Sequence, residues 1–350
     1  MREYLTAVAG NVALRRRLGA ELEQGTVSHA YIIEGPAGCG KSTLALELIM
    51  ALACEQRDAQ SAPLPCGRCP TCQKIAAGNS PDVIHVRREE DKATMGVDTV
   101  RMLRGDVITV PNDLSFKVYV IHEAHTMTTQ AQNALLLTLE EPPAFVLFLL
   151  LCEDAGAMLE TIRSRAPILR MQPVTDGEIE HYLLAPERER KVLNAARELK
   201  ENAPDDLAAL IRMAGGCIGE ALRLLDDAKR VPMLENRHTV SEICRLLATR
   251  TCPDELLTAL LRLGIKRGDV IERLRLLSLA LRDLLLLGYN ESVSLLFFTD
   301  TGRAAELSSR FTAQRLLACI NAIDETLTAL TANGNVRLLL FRLHSGLTQS

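Results

Sequence analysis

The rhythm of apolar and polar positions changes near residue 174. Before it, five short apolar runs read as strands: Ala30–Glu34, Asp82–Val86, Phe116–Ile121, Phe145–Cys152 and Pro167–Met171. Helix-spaced apolar positions between them predict helices near Ser42–Cys54, Val97–Val107 and Thr129–Glu140. Strands separated by helices describe a parallel sheet covered on both faces. After Pro173 the strands stop. Short helical patterns follow, broken at Pro186, Pro204 and Gly215-Gly216, and from Pro232 long Leu-rich patterns such as Val270–Leu287 and Thr312–Ala332 take over. Three domains are expected: α/β over 1–174, a small helical domain over 175–231 and an all-α domain over 232–350. The stretch Leu274–Leu287 is apolar around most of a helix, which demands burial in a core or against a partner.

Composition excludes several classes. Apolar residues at 47% and charged residues at 24% are ordinary for a globular chain and argue against disorder. The longest apolar run of the first half, Phe145–Cys152, is far too short for a membrane helix, and the N-terminus lacks an uninterrupted apolar stretch. A cytoplasmic protein without a membrane partner is expected. The net charge is −4; residues 231–350 carry 14 Lys+Arg against 12 Asp+Glu, which leaves −6 for residues 1–230. There is no Trp, and Phe and Tyr together number 12. A chain gripping nucleic acid alone would show a basic face or stacking aromatics. Work on DNA is therefore expected only inside a larger assembly.

Gly35-Pro36-Ala37-Gly38-Cys39-Gly40-Lys41-Ser42, followed by Thr43, fits the phosphate-loop pattern and lies between a strand and a helix. Its glycines let backbone N–H groups wrap a phosphate, Lys41 would reach the β- and γ-phosphates, and Ser42 would offer its hydroxyl to Mg²⁺. NTPases with this loop place an acidic residue after a second apolar strand to hold the metal. Here that strand is Lys117–Ile121 and His122 fills the place, followed by Glu123. Imidazole is a poor substitute for a carboxylate on Mg²⁺. Either a tolerant ATPase survives through waters and Ser42, or hydrolysis is lost while ATP binding persists; the ligand chemistry favours the second. A zinc site from His122 and His125 finds no other ligand nearby in the sequence.

Cys66, Cys69 and Cys72 stand three residues apart, with Cys54 upstream. Four thiolates suit a closed, tetrahedral, structural Zn²⁺ site. A redox role for one C-x-x-C pair is the rival, weakened by the third cysteine. Cys152, Cys217, Cys244 and Cys319 read as core residues.

Together and in this order, these features resemble bacterial clamp-loader subunits, a branch of the AAA+ ATPases. The stretch Gln24–Tyr31, the cysteine module after the first loop helix, and Gln132–Pro143 carry the likeness, with Leu137 where Lys is usual. The likeness is specific over about residues 10–230. It implies an AAA+ domain with a zinc module, a helical lid and a helical collar. It also implies that Arg165, in Ser164-Arg165-Ala166, reaches the ATP of a neighbouring subunit as an arginine finger. Gly219 takes the place where active subunits carry an arginine sensing their own nucleotide, and Glu123 becomes a vestige. Loss at His122 and Gly219 with Arg165 kept resembles the delta-prime branch more than the gamma and tau motors.

The resemblance thus implies an assembly subunit of the DNA polymerase III clamp loader, not itself the polymerase, with little or no ATPase activity of its own. Its partners would be gamma/tau and delta in a hetero-pentamer, with the sliding clamp and primed DNA met through the complex. A gamma/tau-like ATPase motor is the alternative. A zinc-dependent DNA-binding protein outside clamp loading is a third class, against which the acidic balance and scarce aromatics count.

Overall fold

The computed structural model describes residues 2–59, 62–89, 92–186, 189–249, 253–290, 293 and 295–349. The chain packs as two compact units, residues 1–182 with 216–220, and residues 183–215 with 221–350.

In the first unit, α1 (Val12–Gln24) leads into β1 (Ala30–Glu34), α2 (Lys41–Ala53), α3 (Pro70–Ala76), β2 (Val83–Val86), α4 (Val97–Val107), β3 (Lys117–Ile121), α5 (Thr129–Glu140), β4 (Val146–Cys152), α6 (Glu160–Arg163) and β5 (Ile168–Arg170). All strand pairs are parallel, in the order β2-β3-β4-β1-β5. The five expected strands are these five, and the three expected helices are α2, α4 and α5.

Period-two alternation divides each strand between two cores. Tyr31, Ile33, Val118, Val120, Leu149 and Leu151 pack with Leu44, Leu48 and Ile49 of α2. Ile32, Tyr119, Ile121, Phe148 and Leu150 pack with Leu103 of α4 and Leu135 of α5. Every residue of β3 and β4 is buried, which is why these strands read as unbroken apolar runs. Removing one large side chain here, as in Phe148→Ala, costs about 3–5 kcal/mol.

Asp82, just before β2, is fully buried. Its carboxylate accepts from the backbone N–H groups of Asn112, Asp113 and Leu114 at 2.8, 2.6 and 2.8 Å. Burial alone would raise its pKa, but these donors and the Lys117 ammonium hold it below the usual carboxylate range. A buried anion thus fixes the loop entering β3.

Past the sheet come α7 (Asp176–Leu184), α8 (Arg190–Asn202), α9 (Pro204–Met213) and α10 (Ile218–Leu224). The long elements are α11 (Asp227–Thr249), α12 (Pro253–Leu261), α13 (Arg267–Leu287), α14 (Thr301–Ser308), α15 (Ala313–Thr331) and α16 (Val336–Gln349). Pro232 lies inside α11, which begins five residues earlier. In α13, Leu274, Leu277, Leu281 and Leu284 are buried in the second unit's own core, so this helix's apolar circumference is taken up within the chain. Asp283 of α13 accepts from the N–H groups of Leu296, Phe297 and Phe298. Among the described residues, no helix is long and apolar enough to cross a membrane.

Candidate nucleotide and metal sites

The loop 35–40 connects β1 to α2. Gly38 and Gly40 are left-handed, at φ 74° and 99°, a conformation a side chain would strain. Gly40 caps α2 without a side-chain hydrogen bond, so the first N–H groups of that helix are not capped by its own flank. Pro36, Ala37, Gly38 and Ser42 are exposed, Cys39, Gly40, Lys41 and Thr43 half-buried, and Gly35 is buried. The Lys41 ammonium donates to the carbonyls of Gly35 and Pro36 at 2.6 and 2.8 Å. The loop thus carries a cation folded onto its own backbone, where a phosphate would draw it outward.

Gly219 meets this loop directly. Its N–H donates to the Gly38 carbonyl at 2.8 Å. A Cβ on Gly219 would stand 2.9 Å from Gly38 Cα, and one on Gly38 would stand 3.0 Å from Glu220 N. Two backbones touch here because neither residue has a side chain. Any larger residue at 219 would force this contact apart.

At the end of β3 the arrangement differs from a carboxylate metal site. His122 Nε2 lies 3.0 Å from Nδ1 of His85 on β2, with ring centroids 5.2 Å apart. Burial, then the charge of Arg87 and the neighbouring ring, pushes His122 down to about 4. Burial and Arg87 lower His85 as well, so both rings are neutral near pH 7. Glu123, left-handed at φ 48°, is held by Arg88 Nε at 2.6 Å. His125 does not join His122: its Nδ1 accepts from Glu153 N–H at 3.3 Å. Two neutral imidazoles and an engaged carboxylate are a poor donor set for Mg²⁺, which demands oxygen. The sequence shows His122 plainly but not its partner, because only strand pairing brings residue 85 beside it.

Arg165 follows α6. Its guanidinium pairs with Glu140 at 2.9 Å and donates to the Thr161 carbonyl at 3.0 Å, with its side chain 37% exposed. Glu140, within the stretch that carried the resemblance, was not singled out from sequence; its distance along the chain hides the pairing.

The four sulfurs of Cys54, Cys66, Cys69 and Cys72 all lie within 4.8 Å of one another. On bonds of about 2.3 Å, tetrahedral thiolates stand about 3.8 Å apart, so a small contraction would close these around one ion. Cys69 N–H points to Cys66 Sγ and Cys72 N–H to Cys69 Sγ, both at 3.4 Å. Burial would raise the Cys66 thiol, but the N–H groups of Arg68 and Cys69 and the neighbouring thiols bring it down to about 7. The four residues fit a metal ion. Cys152, Cys217, Cys244 and Cys319 are buried thiols, as expected of core residues.

Residues 10–175 match the family model described as DNA polymerase III, delta subunit. Over this stretch, and in the matches that follow, the chain is similar to subunits of DNA polymerase III. It is 33% identical over 225 residues to DNA polymerase III subunit gamma/tau of Mycobacterium bovis, a match covering 63% of this chain and 36% of that protein. It is 29% identical over 307 residues to DNA polymerase III subunit delta′ of Escherichia coli, covering 88% of this chain and 84% of that one. A solved gamma subunit-related protein of Thermotoga maritima aligns over 95% of the chain at 16% identity and a TM-score of 0.48. The chain thus spans about a third of its gamma/tau relatives' length and most of the delta′ relative's.

Proposed function

We propose that this chain is a delta-prime-like assembly subunit of the clamp loader. In this role it presents Arg165 to the nucleotide of a neighbouring ATPase subunit while hydrolysing little or none itself. The observation that carries this reading is the paired His85 and His122 at the metal position, with Glu123 held by Arg88. A site that offers Mg²⁺ no carboxylate after β3, and whose Glu123 is engaged by Arg88, lacks what phosphoryl transfer requires. The loop 35–43 keeps the capacity to hold nucleotide, as a structural occupant. The half-exposed Arg165 rests on Glu140 and would exchange that partner for a phosphate.

The same proposal assigns a structural Zn²⁺ to Cys54, Cys66, Cys69 and Cys72. It assigns a lid role to residues 175–231 and a collar role to 232–350, where exposed Leu317, Leu338 and Phe341 offer apolar contact to other subunits. Those subunits would be gamma/tau and delta, with clamp and primed DNA met through the assembly in the cytoplasm.

The 33% identity with gamma/tau and the complete phosphate loop favour a second reading, an ATPase motor. Steady-state ATP turnover by the purified chain with Mg²⁺ separates the two. The assembly role expects background rates, unchanged in Lys41→Ala. Turnover on the order of 1 s⁻¹ or above that vanishes in Lys41→Ala would establish the motor.

A further inference from the structure

We propose that the four-cysteine module is a metal-operated clasp for residues 2–8, and that ion binding and the docking of this segment are reciprocally coupled. The proposal rests on the Zn²⁺ assigned above to Cys54, Cys66, Cys69 and Cys72. Cys54 follows directly on α2 and Cys66 opens the C-x-x-C turns, so an ion held by both pins the two ends of the stretch between them. Four carbonyls of that stretch serve as acceptors for the segment. Arg2 donates from Nε to Ala62, from Nη1 to Arg57 and from Nη2 to Gln56, at 2.9, 2.7 and 3.0 Å. Leu5 N–H donates to the Leu64 carbonyl at 2.8 Å and Leu64 N–H to the Glu3 carbonyl at 2.9 Å, a parallel bridge that pairs Tyr4 with Leu64. Arg57 in turn donates to the Leu22 carbonyl of α1 at 2.9 Å.

Packing joins the same partners. Leu5, Val8 and Leu64 lie in one core with the thiols of Cys54, Cys69 and Cys72. The Tyr4 ring lies against α1 where Gly19 has no side chain; a Cβ there would stand 2.5 Å from the ring. Arg15 of α1 donates to the Tyr4 carbonyl at 2.9 Å, and Ala7 N–H donates to the buried Glu47 carboxylate of α2 at 3.2 Å. The segment is thus a strap across α1 and α2, fastened at the module. One guanidinium can meet three carbonyls only where all three are fixed in space together. Without an ion, the strap's contacts alone must offset the entropy of ordering the stretch between Cys54 and Cys66; with an ion, that stretch is already closed. By linkage, whatever the ion adds to docking of the strap, the docked strap adds to ion affinity.

The test uses the full, reduced chain, with Zn²⁺ in competition with a chromophoric chelator. Arg2→Ala should weaken Zn²⁺ binding about tenfold although Arg2 touches no cysteine, and Gly19→Ala should weaken it too by displacing the Tyr4 ring. Arg16→Ala, at an exposed position of α1, should leave Zn²⁺ affinity unchanged. Equal affinity in wild type, Arg2→Ala and Gly19→Ala overturns the coupling, whereas a wild type that takes up no Zn²⁺ removes the metal assignment itself. Should a variant fail to fold, hydrogen exchange in the wild type decides the question. Removing the ion should speed exchange of the Leu5 and Leu64 amides at least about tenfold while the amides of β3 and β4 keep their protection. Leu5 and Leu64 protection that does not respond to the ion overturns the clasp. So does an equal loss of protection in β3 and β4, which would make the ion a general staple of the first unit.

Discussion

The ends of β1 and β3 lie on one edge of the sheet, on either side of β4, yet they differ in chemistry. After β1, the loop keeps two left-handed glycines, a lysine on its backbone and an uncapped helix N-terminus. After β3, a pair of neutral rings and an engaged glutamate stand where a metal-holding carboxylate belongs. The β2–β3 pair has not lost the ability to support a buried anion, since Asp82 at its opposite end carries one on three backbone donors. What differs is the provision of donors. Holding a phosphate draws on backbone geometry, whereas activating one requires a metal on oxygen ligands, and a chain can keep the first without the second.

If the β3 end is chemically silent, the charge this chain contributes acts next door. Arg165→Ala in the assembled complex is expected to lower ATP turnover about 10³-fold, measured at steady state, with nucleotide affinity of the isolated chain unchanged. Equal turnover in wild type and variant would break the comparison at its first step. Asp82→Ala should lower stability by about 3 kcal/mol in urea denaturation, because three backbone donors lose a buried anionic acceptor. Its folded pKa is depressed, so the Asp82 contribution is complete above the unfolded value of about 3.9 and drains as pH falls through the folded value. Asp82→Asn should flatten that part of the stability–pH curve.

On the β1 side, Lys41→Ala should weaken nucleotide binding by about 2 kcal/mol, roughly thirtyfold, through loss of a charge-assisted contact. Calorimetry checks this without any turnover. On the β3 side, omitting Mg²⁺ should change wild-type nucleotide affinity by less than about threefold, whereas His122→Asp should make binding respond to Mg²⁺ by about tenfold. A strong Mg²⁺ response in the wild type would erase the contrast between the two ends.

Much of the first unit is legible in the sequence. β3 and β4 announce themselves because burial on both faces leaves no polar positions, and the phosphate loop because its glycines and lysine must stand at fixed spacing. The four cysteines were legible as one set because metal ligands are scarce and clustered. The pairings within the site were not. His85 reads as an unremarkable residue in a short strand, and nothing local separates Glu140 from Glu141 beside it. Nor does local pattern show that Gly219 is pressed against Gly38, a contact between backbones 181 positions apart.

The sequence by itself determined the alternation of strand and helix, the phosphate loop, the substitution at His122 and the four-thiol set, since each is a matter of residue type at short spacing. Only the tertiary structure decided that His122 stands against His85, that Arg88 holds Glu123, that Arg165 rests on Glu140 and that α13 spends its apolar surface inside its own unit. The reason is physical: periodicity and turn chemistry act over a few residues, whereas which strand lies beside which is set by the packing of the whole sheet.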